Sequence, residues 1–144
     1  MTTLRRILRP RSAARRDDRG AAAVEMALLV PVLLLILFGI IDFGRMLNTQ
    51  IALSQASREG VRGLALGTSA NPTSTVQTDA YPVTGVNVAY TVCPANPGPT
   101  SVATVTATKS FTYVTPISGI LNMLGMSSLA SPTITGKAQM RCGG

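Results

Sequence analysis

Residues 19–67 read RGAAAVEMALLVPVLLLILFGIIDFGRMLNTQIALSQASREGVRGLALG, and the fold follows from how this stretch is divided. From Ala21 to Ile41 it is almost unbroken apolar sequence with one charge, Glu25. A helix of that length spans roughly 31 Å at about 1.5 Å per residue, enough for the hydrocarbon core of a bilayer. Asp42 and Arg45 close the run and read as caps on a membrane span. Pro31 lies inside it, where a missing helix hydrogen bond favours a kink, and Gly39 lies near its far end.

The flank before the run is basic. Arg5, Arg6, Arg9, Arg11, Arg15, Arg16 and Arg19 face only Asp17 and Asp18, a net +5 out of +7 for the 144-residue chain. The high pI is thus the property of a leader. That leader has no interleaved aromatics and runs straight into apolar sequence, which argues against nucleic acid as a partner. By the positive-inside rule it stays in the cytoplasm, and the chain after the span lies outside. This predicts a single-pass protein of the cell (inner) membrane with lipid as one partner. A cleaved secretory signal needs a shorter apolar core followed by a small-x-small site, which IIDFGRMLN does not offer. Twin-arginine export fits poorly, because Asp17 and Asp18 follow the Arg15–Arg16 pair.

Glu25 sits five residues after Gly20. One reading is a carboxylate near the interface that reaches back to headgroups. The other follows from the spacing. A cut after Gly20 would make Ala21 a charged α-amine and Glu25 the fifth residue, one helical turn away. In a helical assembly the carboxylate of one subunit would then meet the amine of its neighbour, offsetting the cost of both charges in an apolar bundle.

A basic leader, Gly at the cut, Glu five residues on and an apolar helix form the processing pattern of type IV (class III) prepilins. With RGAAAVE, the LVPVLLLILFGIIDFGR block and the small-polar helix ending in REGVR, the stretch resembles the TadE-like minor pseudopilins of the Tad (tight adherence) pilus system. The resemblance implies cleavage by a prepilin peptidase between Gly20 and Ala21. It also implies a role in assembling adhesive pili, with other Tad pilins, pseudopilins and the assembly platform as partners. Met26, where major Flp-type pilins usually carry Tyr, and the chain length set it apart from those pilins.

The helix is expected to continue past the membrane as an amphipathic segment over residues 42–66, since no proline interrupts residues 43–66. At 100° per residue Phe43, Met46, Leu47, Ile51, Val61, Leu64 and Ala65 share one face. Residues 67–144 then form a small β-rich domain. Residues 67–85 read as a turn-rich loop, residues 86–93, 101–114 and 133–141 as strands, and residues 117–126 as a short helix or apolar loop. Lys109 falls in phase with Val105, Phe111 and Tyr113, which points to a bulge or an edge there. The predicted class is α+β and pilin-like, a long helix packed on an antiparallel meander. Many inward candidates are Ala, Gly or Val, so the core is thin. Cys93 and Cys142 end the two outer strand candidates and would compensate as a disulfide outside the cytoplasm; the other reading is two buried free thiols.

Composition narrows the chemistry. The chain has no histidine and two cysteines, so it can build no Ser-His-Asp triad, His-ligated zinc site or Cys₄ metal site. Past the span and its closing Asp42 the acids are limited to Glu59 and Asp79, and no S-x-x-K spacing ends on Lys109 or Lys137. A non-enzymatic protein without metal or cofactor is expected. The alternative to a pseudopilin is an uncleaved signal-anchored protein with a small outer binding domain, which would not need the Gly20–Glu25 spacing.

Overall fold

A computed structural model describes residues 14–142, with side chains from residue 20. The elements are α1 (Ala14–Ala65), α2 (Thr73–Asp79), β1 (Asn87–Thr91), β2 (Val102–Ser110), α3 (Ile117–Met123), α4 (Ser127–Ala130) and β3 (Thr133–Arg141). The class is α+β, a long apolar helix followed by a three-stranded antiparallel sheet. Two compact units divide at residue 37, so α1 contributes to both.

In the first unit α1 runs through Pro31 without a break in its assignment. Every side chain from residue 20 to residue 37 is exposed, apolar ones included. In water that surface would be strongly unfavourable, whereas a bilayer covers it. Among the described residues one helix is long and apolar enough to cross a membrane, which suggests a single-pass anchor.

The second unit packs the rest of α1 on the sheet. The strand order is β1-β2-β3, with both neighbours antiparallel to β2. Alternation in β2 turns Ala103, Val105 and Ala107 inward and leaves the intervening threonines half-buried on the other face. In β3, Ile134 and Gly136 point inward between exposed Thr133, Thr135 and Lys137. These inward residues are small, so α1 comes close. It answers with Leu53, Ala56, Ser57, Gly60, Val61 and Leu64, all buried at three- and four-residue spacing. Ser57 Oγ donates to the Gly136 carbonyl at 3.0 Å, and Gln50 Nε2 to that of Thr135 at 3.3 Å.

Three expectations need correction. Of the expected apolar face of α1, Val61 and Leu64 are buried and Met46 packs against the core, but the other large residues are not. Phe43, Leu47 and Ile51 are exposed and lie roughly a third of a turn round from the middle of the buried stripe. Close approach to an Ala- and Gly-lined sheet selects small side chains, and a hydropathy pattern does not register that. Residues 67–85 are more than a loop, because α2 lies within them. Its Ser, Thr and Asp content is poor for a helix, but the Asn71 carboxamide oxygen accepts the Thr73 N–H at 2.9 Å. Val76, fully buried, then packs into the space left open by Gly60. Of the bulge or edge expected at Lys109 the edge is found and the bulge is not, since Lys109 pairs in register with Ile134. The β1 ladder stops at Thr108, so Lys109 is inward-phased but lies beyond the end of β1.

Candidate functional site

Two sets of residues carry chemistry. The first is the segment around Gly20. Gly20, Ala21 and Glu25 are all helical and exposed in α1. A Cβ on Gly20 would meet nothing within 4 Å among the described residues, so no packing contact there requires glycine. The 1.5 Å rise puts Glu25 about 7.5 Å along the axis from Gly20. Among the described residues the ion pairs are Asp42–Arg45 and Glu59–Arg62, and neither involves Glu25. The positions Arg5, Arg6, Arg9 and Arg11, and the side chains of Arg15, Arg16 and Arg19, lie outside what is described.

The second set is a clasp at the first residue past the apolar run. Asp42 is 1% exposed, an unusual place for a carboxylate. Its oxygens accept the Val114 N–H at 3.1 Å, the Thr115 N–H at 3.4 Å, and the Thr115 hydroxyl. Arg45 completes it, donating to Asp42 at 3.3 Å and to the Thr112 carbonyl at 3.4 Å. The same guanidinium lies 5.4 Å from the centroid of Phe111, which meets Tyr113 edge-to-face. Burial pushes the Asp42 carboxyl up, but the hydrogen bonds from Thr115, Val114 and Arg45 together outweigh it. They hold the group below its ordinary value of 3.8. Asp42 and Arg45 thus do more than cap a span: they fasten residues 112–115 to α1. Sequence reading found the pair but not its target, because nothing local in TYVTP marks it as the partner of an acid 72 residues away.

The sign of the pH dependence follows. A carboxyl depressed by folding adds stability above pH 3.8, and that contribution is lost as pH falls toward the folded value. Asp42→Ala should lower stability by about 2 kcal/mol, leaving two backbone donors without their acceptor. Thermal unfolding of the detergent-solubilised protein at pH 7 measures this, and the deficit should shrink as the pH is taken below 3.8.

Beside the clasp an open cleft is lined by Arg45, Thr49, Val83, Lys109 and Phe111. It presents two cations and hydroxyl groups, with no acid among its lining residues. Further along the unit, Cys93 and Cys142 are joined by a disulfide with a Cα–Cα distance of 5.7 Å. Cys93 lies two residues past the end of β1, so the alternation of that strand does not constrain it. The Cys142 N–H donates to the Ser101 carbonyl at 3.0 Å, which holds the end of β3 beside the start of β2.

Residues 20–62 match the family described as TadE-like protein. No curated protein and no solved structure matches the chain. The matched segment begins at Gly20 and contains Glu25, the apolar run, Asp42 and Arg45. It ends before α2 and the sheet, so the similarity lies in α1. Over that segment the chain is similar to the TadE-like proteins of the Tad pilus system, a similarity that suggests involvement in pilus assembly alongside other components of that system.

Proposed function

We propose that the chain is a minor pseudopilin, cut by a prepilin peptidase between Gly20 and Ala21 and then used in building an adhesive Tad pilus. The observation that carries this reading is Glu25. It is a lone carboxylate in an exposed apolar run, five residues after a glycine that no packing contact among the described residues requires. An ordinary anchor has no use for that charge, which is expensive at membrane depth. In an assembly the new Ala21 amine of a neighbouring subunit neutralises it and fixes the axial register. Gly20 serves the cut twice. It leaves the scissile bond uncrowded, and it weakens the helix there by about 1 kcal/mol relative to Ala, easing local opening for the peptidase. The basic leader keeps that bond on the cytoplasmic side. The protein's role in this reading is structural and not catalytic, and it calls for no metal or cofactor.

Glu25→Ala tests the register role. The variant should accumulate in the membrane at the normal level, with its sheet domain folded, and should fail to support pili. Normal piliation in that variant contradicts the reading.

A further inference from the structure

Between Ser110 and Gly136 the chain has no charged residue. This stretch contains α3 and α4, which pack on each other and bury little: α3 has no buried residue, and α4 has only Ala130. Its apolar side chains face outward, with Met123 90% exposed, Val114 71%, Leu124 65%, Leu129 53% and Ile120 42%. On a small water-soluble domain such a cluster is a liability. Its place in the fold gives it a use. Val114 and Thr115 are fastened to Asp42, the residue at which the apolar run ends. The root of the pair is therefore held beside the residue at which the apolar run ends. Tyr113, which donates from its hydroxyl to the Leu129 carbonyl at 2.9 Å, ties α4 to that root. Tyrosine is a residue type enriched at the bilayer surface.

We propose that α3 and α4 form a second membrane contact, lying in the headgroup–acyl boundary of the leaflet from which α1 emerges. The occupant of the apolar patch is lipid. A charge-free stretch of 27 residues, from Ser110 to Gly136, is suited to that boundary, and its attachment at Asp42 roots it at the residue that ends the apolar run. Two attachments, one spanning and one interfacial, would fix the tilt and rotation at which the sheet domain is presented before it leaves the membrane. The inference rests on α1 being a membrane anchor but not on cleavage or piliation.

The absence of tryptophan from the chain gives a direct test. Three single-tryptophan variants of the full chain are reconstituted in phosphatidylcholine vesicles at low protein density, with and without brominated lipid. Leu34→Trp lies in the span and Met123→Trp on α3. Leu66→Trp lies past the end of α1, roughly 36 Å along the helix from Asp42. Leu34→Trp should be strongly quenched and Leu66→Trp unquenched. Met123→Trp should be blue-shifted and lose about half of its emission to bromines near the glycerol end of the acyl chains. A quenched Leu34→Trp beside an unquenched Met123→Trp overturns this inference alone. An unquenched Leu34→Trp overturns the anchor and the inference with it. A blue shift at Met123→Trp that appears only at high protein density, without bromine quenching, assigns the patch to a second copy of the chain and also overturns the proposal.

Discussion

Replacing Cys93 and Cys142 by serine is expected to destabilise the sheet domain by about 4 kcal/mol. The bond spans 49 positions in sequence, and closing a loop of that size removes much of the freedom of the unfolded chain. Little else secures the same region. In β1 only Val88 is even half-buried, and Val92 beyond it is exposed. The fully buried residues on the sheet side include Ala103, Val105 and Ala107, which bring little apolar area each. Both outer strands pair only with β2, so the bond ties the end of one to the end of the other around it. A loss of that size is a large share of the stability of a small domain. It should appear as a fall in melting temperature of at least about 15 °C, either in the double variant or in the native chain under reductant. A melting curve unchanged by reduction would show that the helix–sheet contacts suffice alone.

Gly136→Val should be nearly as damaging. A Cβ at that position overlaps the carbonyl group of Leu53 and comes within 2.7 Å of the Ser54 nitrogen. These are backbone atoms of a buried helical turn, so no flexible side chain can move aside. The two chains have to separate, which strains the Ser57–Gly136 hydrogen bond and opens the contact between α1 and β3. The expected loss is about 3 kcal/mol, the upper end of what overpacking costs. Gly119→Ala is the matched control. Its added Cβ meets nothing within 4 Å, and an alanine inside α3 should leave stability within about 1 kcal/mol of the parent. Urea denaturation of the three proteins in detergent, followed by circular dichroism, separates these outcomes.

What could be read in the sequence was what depends on periodicity and length. The apolar run announces the span, and alternation in TITGKAQMR marks β3 to the residue. The antiparallel meander follows from three short alternating segments, and it is the observed order. What was hidden depends on size and on distant partners. Val61 and Leu64 are buried as hydropathy suggests, but Phe43, Leu47 and Ile51 are not, and Ala56, Ser57 and Gly60 join the core because the sheet opposite is lined by Ala and Gly. α2 exists because Val76 has a socket on α1, which no propensity scale contains. The Asp42 clasp joins residues far apart in the chain through backbone donors, and backbone donors leave no mark on composition. Gly20 and Glu25 are the reverse case: their spacing is plain in the sequence, while the described residues give neither of them a contact.

The decisive measurement is the N-terminus of the protein made in its own host, by mass spectrometry of the membrane fraction. The account predicts a chain that starts at Ala21, with that start lost when the prepilin peptidase is removed or Gly20 is replaced by a bulky residue. A stable start at Met1 or Thr2, in cells that process their other prepilins, would contradict it.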